Sequence, residues 1–92
     1  MANVVITLRI MPESPETDLK AIEEKVSRQI TKFAGEGQIK IEQKPVAFGL
    51  KAVEFTFVMD EAKGSTEALE SRIREMDGVN SAEVTDVRRA VG

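Results

Sequence analysis

A chain of 92 residues without a single cysteine or histidine has a short list of side chains that can do chemistry. It offers no thiolate nucleophile, no imidazole base, no disulfide framework and none of the nitrogen and sulfur ligand sets that zinc sites use. Carboxylates, hydroxyls, Lys and Arg remain. The acids gather at Asp60 and Glu61, and again at Asp77, Glu83 and Asp86. Oxygen ligands of that kind hold hard cations, but the spacing is not that of an EF-hand, so solvated loop acids are expected and no metal. A phosphate site in a small domain wants Gly-rich backbone and an Arg after the first strand. This chain has "MPESPE" there, proline and acid, which repels an anion. Hydrolysis and phosphoryl transfer are not expected, nor is any cofactor.

The residues that stand out are binding residues. In "PVAFGLKAVEF" a phenylalanine, Phe48, occupies a turn between two apolar alternating stretches. Turns usually take Gly, Pro, Asn, Asp or Ser, which supply the dihedrals or local hydrogen bonds of a chain reversal. An aromatic at that place either folds back over the end of the sheet or stands out as an anchor for a partner. Pro45 removes a donor and stiffens the approach, and Gly49 relaxes the steric limits beside the ring, so the local residues favour exposure. A ring fixed beforehand loses less entropy on docking. Lys51 flanks it with charge. The second candidate is the end "VTDVRRAVG", where Arg88 and Arg89 are either a solvated tail or multi-donor groups for carboxylates on a partner.

Positioning these residues requires alternating strands and amphipathic helices. Val4 to Met11 places Val4, Ile6, Leu8 and Ile10 on one face with Thr7 and Arg9 on the other, which predicts a strand. Two N-caps are available for the helix that follows: Ser14 with Pro15 at the first helical position, or Thr17 with Asp18 in the first turn. Leu19, Ile22, Val26, Ile30 and Phe33 then form a helical stripe that ends near Gly35. Gln38–Val46 and Leu50–Met59 predict two further strands, the latter with Val53, Phe55, Phe57 and Met59 on one face. Ser65 caps a second helix through Leu69, Ile73 and Met76, closed by Gly78 as a left-handed C-cap. A last strand covers Val79 to Val87, where Val84 and Val87 are out of phase, which leaves its facing open and allows a bulge.

The order β-α-β-β-α-β predicts an α+β, ferredoxin-like split βαβ fold, a four-stranded antiparallel sheet with two helices on one face. The length predicts one domain over residues 1–92. With 41% hydrophobic and 32% charged residues and a formal charge of −3, the chain reads as an ordinary globular protein without the positive field that non-specific nucleic-acid or membrane binding needs. It shows no run long enough to span a bilayer and no signal-peptide start, so a cytoplasmic location is expected. Phe55 and Phe57 resemble the stacking residues of an RNA-recognition motif only weakly: "VVITLR" lacks the matching aromatic, and core packing is the expectation. From another class, the fold also supports a small regulatory ligand-binding or dimerisation domain, which predicts self-association.

The stretches "LRIMPESPETDL", "PVAFGLKAV", "STEALE" and "GVNSAEVTDVRR" together carry a resemblance that spans essentially the whole chain. It resembles the archaeal translation elongation factor 1-beta family and is similar to the C-terminal exchange domain of eukaryotic elongation factor 1B alpha. The resemblance implies a guanine-nucleotide exchange factor for the GTPase elongation factor 1-alpha, acting without bond-making chemistry. It also implies that Phe48, followed by Gly49, enters a pocket of the GTPase. A basic residue near the C-terminus of the eukaryotic domain reaches towards the magnesium and phosphate end of the nucleotide site. Arg89 aligns with it where the eukaryotic pattern has Lys, and Ala90, Val91 and Gly92 extend further.

Overall fold

The computed structural model describes residues 3–89. Its elements run β1 (Asn3–Pro12), α1 (Leu19–Ala34), β2 (Ile39–Pro45), β3 (Lys51–Asp60), α2 (Glu67–Arg74) and β4 (Val79–Arg89), with short 3-10 turns at Ala47–Gly49 and Glu61–Lys63. The sheet order is β2-β3-β1-β4, antiparallel at each pairing. Strands β1 and β2, joined by α1, run the same way with β3 inserted between them. This is the ferredoxin-like α+β arrangement that the periodicity predicts.

Alternation along the strands explains the core. Val4, Ile6, Leu8 and Ile10 of β1 and Val53, Phe55, Phe57 and Met59 of β3 are buried on one face, against Ile22, Val26 and Ile30 of α1 and Leu69 and Ile73 of α2. Phe55 and Phe57 are therefore core residues, as expected. The other face carries Thr7 and Arg9 from β1 beside Thr56 and Glu54 from β3 and Asp86 and Glu83 from β4. Pairs such as Lys40–Glu42 at 3.2 Å and Lys44–Glu54 at 3.1 Å continue that charged face onto β2. No aromatic residue stands on it among the described residues.

Strand β4 resolves the phase problem of its valines. Leu8 pairs with Val84 and Thr7 with Asp86, so Thr85 is an extra residue. A second shift, between Met11 and Pro12, leaves Asn80 unpaired in the same way. Each bulge moves the pleat by one residue, which is how Val79 and Ala82, three apart, are both buried.

Two helix ends differ from the sequence expectation. Neither Ser14 nor Thr17 caps α1; the cap is Asp18, whose Oδ1 accepts the Ala21 N–H at 3.2 Å. The carboxylate wins because Ser14 and Thr17 are already bonded to one another, the Thr17 N–H to the Ser14 carbonyl and the Ser14 N–H to Thr17 Oγ1, each at 3.2 Å. At α2 the cap position is Thr66, while Ser65 Oγ accepts the Glu67 N–H at 3.1 Å. Gly78 is not the C-cap of that helix, which ends at Arg74 with Glu75 as cap. Its φ of 86° turns the chain into β4 instead.

Candidate functional site

The β2–β3 connection is a tight reversal held by two backbone bonds. The Leu50 N–H donates to the Ala47 carbonyl at 3.2 Å and the Val46 N–H donates to the Leu50 carbonyl at 2.8 Å. Between them Phe48 has φ 61° and ψ 31°, and Gly49 has φ 76°. Positive φ at both central positions is the requirement of a type I′ turn, normally met by Asn-Gly or Asp-Gly. Gly49 meets it without cost. Phe48 is the one non-glycine residue with positive φ among the described residues. The left-handed region costs an L-residue about 1–2 kcal/mol, and a bulky ring has no side-chain hydrogen bond to offset it.

Nothing in the chain's own packing explains that cost. Phe48 is 94% exposed, more than any other large apolar residue described. It does not fold back over the sheet. A strained, fully exposed aromatic is the kind of backbone outlier from which a functional role is inferred. Lys51 opens β3 opposite Pro45 and is exposed beside the turn.

Arg88 and Arg89 lie elsewhere. They are the last two described residues of β4, paired with Val5 and Val4 of β1, and the neighbouring strand β3 there reaches Asp60. Strand β3 is ten residues long, with Lys51 at the Phe48 end, so about 30 Å separates the two candidate groups at the usual strand rise. The structure brings Phe48, Gly49 and Lys51 together and leaves the arginines at the opposite end of the sheet.

The arginines lie within a strand, though their side chains remain 79% and 73% exposed. Both belong to β4, and the pleat sends them to opposite faces. Arg88 stands on the open face, its Nε 2.8 Å from Asp86 Oδ2. Arg89 stands on the helix side, where Nη2 donates to Glu61 Oε1 at 3.1 Å. Beside it is a shallow hollow of about 300 Å³ lined by Val4, Ile6, Met59 and Val87, with Glu61 at its edge. Val87 is 59% exposed there, an apolar neighbour for anything that Arg89 meets. Residues 90–92, which extend beyond Arg89 in the sequence, lie outside the described residues.

Three of the acids that the sequence places in clusters have local duties. Asp60 Oδ1 accepts the Ala62 N–H at 2.9 Å, Glu61 holds Arg89, and Asp86 holds Arg88. Among the described residues no group of three or more acids is placed to hold a metal ion. Sequence reasoning missed the pairing of Glu61 with Arg89, residues 28 apart that share no local pattern. It also missed that Pro15 comes near the Phe48 turn, its Cγ 4.0 Å from where a β-carbon at Gly49 would stand; the "PESPETD" stretch was read for its helix caps, its repulsion of phosphate and its share in the family resemblance.

The fold and the turn define a class: an α+β ferredoxin-like domain that carries one strained, exposed aromatic beyond the end of its sheet. Comparison with known families narrows this. The chain belongs to the EF-1 guanine nucleotide exchange domain family, whose model matches residues 5–90. It is 43% identical over 89 residues to elongation factor 1-beta of Methanothermobacter thermautotrophicus, covering 97% of this chain and 98% of the relative. The same identity and coverage relate it to elongation factor 1-beta of Methanosphaera stadtmanae and of Methanobrevibacter smithii.

Proposed function

We propose that the protein is the exchange factor of the translational GTPase elongation factor 1-alpha, promoting GDP release during protein synthesis in the cytoplasm, with residues 1–92 acting as one exchange domain. Family membership supports the activity. The observation that carries the mechanism is Phe48, 94% exposed on a turn whose geometry costs the free protein stability. In this reading Phe48 enters a pocket of the GTPase, Gly49 permits the turn, and Lys51 pairs with an acid at the pocket's rim. Arg88 and Arg89 contact the GTPase at the other end of the sheet.

The chemistry needs no bond to be made or broken. A GTPase holds its nucleotide through a backbone cradle and magnesium. A factor that binds the nucleotide-free form better than the GDP form lowers GDP affinity by the ratio of those two affinities, and GDP weakens the factor by the same ratio. Burying a Phe side chain in a pocket is worth about 1.5–3 kcal/mol, and a turn that already holds the ring spends little of that on ordering. No metal, cofactor or nucleic acid takes part on the factor's side.

Release of fluorescent GDP from an archaeal elongation factor 1-alpha, chased with excess unlabelled nucleotide, tests the reading. Acceleration by the protein that disappears in Phe48→Ala supports it. No acceleration at any concentration rejects it.

A further inference from the structure

The stretch Glu13–Asp18 caps nothing except through Asp18, yet it is bonded both within itself and to a distant turn. Its own turn is closed by the Ser14 and Thr17 bonds described above. Its base is tied in both directions to the turn before β4: the Glu13 N–H donates to the Gly78 carbonyl at 2.9 Å, and the Gly78 N–H donates to Glu13 Oε1 at 3.2 Å. The approach is close. A β-carbon at Gly78 would lie 3.0 Å from Thr17 Cγ2, tighter than most real contacts, so that Thr17 would have to give way by a few tenths of an ångström.

The exposed tip of this braced loop is Pro15, and it faces the Phe48 turn. A β-carbon at Gly49 would lie 4.0 Å from Pro15 Cγ, an ordinary van der Waals distance. The loops leaving β1, β2 and α2 thus converge at one end of the sheet. Phe48 needs such a neighbour. Its turn sits at the end of β2, an edge strand paired only with β3, and two backbone bonds close it. A bulky residue leaves the left-handed region unless its surroundings over-determine it. Proline is a suitable wall, because its ring has no side-chain entropy to lose.

We propose that Glu13 and Pro15 are positioning residues for the exchange surface: Glu13 locks the β1–α1 turn to Gly78, and Pro15 holds the Phe48 turn in its binding conformation. The proposal rests on Phe48 being the anchor for the GTPase. Its consequence is a docking surface made of two turns from different parts of the chain, so that loosening the first raises the concentration of factor needed without altering the maximal rate.

The test uses the full chain with Pro15→Gly, Glu13→Ala and Glu13→Gln, and two readouts: amide hydrogen exchange, and GDP release from elongation factor 1-alpha over a range of factor concentrations. In Pro15→Gly and Glu13→Ala the Leu50 and Val46 amides should exchange several-fold faster while those of β1 and β3 keep their protection. The half-saturating concentration should rise about 5- to 10-fold at constant maximal rate, an effect of the size expected for partial loss of preorganisation. Glu13→Gln keeps an oxygen for the Gly78 N–H and should restore both. Unchanged Leu50 exchange and unchanged half-saturation in both variants would overturn the proposal, as would an equal loss of protection across the sheet, which marks general destabilisation. If Phe48→Ala itself releases GDP as fast as the native factor, the exchange reading of Phe48 fails and the docking role falls with it. The amide data then still decide whether the turn is braced.

Discussion

Arg89 Nη2 lies 3.1 Å from Glu61 Oε1 on the helix side of the sheet, whereas Arg88, one residue earlier, is bonded to Asp86 on the open face. Two adjacent arginines therefore cannot serve one pocket. Both members of the Arg89–Glu61 pair are largely exposed, at 73% and 48% of their side-chain surface, and pairs of that kind contribute about 0–1 kcal/mol. A carboxylate or phosphate on a partner can displace Glu61 at little cost.

Glu61→Gln should therefore release Arg89 and lower the half-saturating concentration in the GDP-release assay, by no more than about 5-fold. Arg89→Ala should raise it, by less than Phe48→Ala does, and Arg88→Ala by less again. A Glu61→Gln factor that works worse than the native one would show that the pair is needed as it stands.

Phe48→Ala should cost about 2–4 kcal/mol of transition-state binding, a 30- to 1000-fold loss of release efficiency, as for a central aromatic anchor. Circular dichroism should be unchanged, because the ring touches nothing that holds the fold together.

Phe48→Asn separates the two sides of the same residue. Asn tolerates the left-handed region, so urea denaturation should show a gain of about 0.5–1 kcal/mol while exchange activity is lost. A destabilised Phe48→Asn variant would mean that the ring has a packing role.

Gly78→Ala and Gly35→Ala make a matched pair. Both sites have positive φ, 86° and 90°, but the added carbon meets Thr17 at 3.0 Å in the first and open space in the second. Gly35→Ala should cost about 1–3 kcal/mol from backbone strain alone, because φ 90° with ψ 173° is a region that essentially only glycine occupies. Gly78→Ala adds to its own strain a contact to which Thr17 must yield, and should cost about 2–3 kcal/mol.

Phe55→Ala should cost about 3–5 kcal/mol in thermal or urea unfolding, because the side chain is fully buried between the sheet and the helices. A domain of this size has about 5–15 kcal/mol in total, so that variant stands near the edge of folding.

The order of strands and helices was legible in the sequence because apolar periodicity is a local property. Val4, Ile6, Leu8 and Ile10 declare a strand, and Leu19, Ile22, Val26, Ile30 and Phe33 a helix, before any tertiary contact is known. The exposure of Phe48 was legible too, since a large aromatic between Pro45 and Gly49 contradicts ordinary turn chemistry. The positive φ of Phe48 and the choice of Asp18 over Ser14 and Thr17 as cap were settled by competing bonds within their own turns, while the use of Gly78 depended on residues distant in sequence, Glu13 and Thr17. So did the separation of the candidate residues. "AFGLK" and "VRR" read as two binding candidates with no stated distance between them; strand pairing places them at opposite ends of β3, and the pleat of β4 turns Arg88 and Arg89 to opposite faces. Pattern along a chain specifies which residues share a face of one element; register, bulges and the bonds between loops specify where those faces meet, and these arise only when the elements pack.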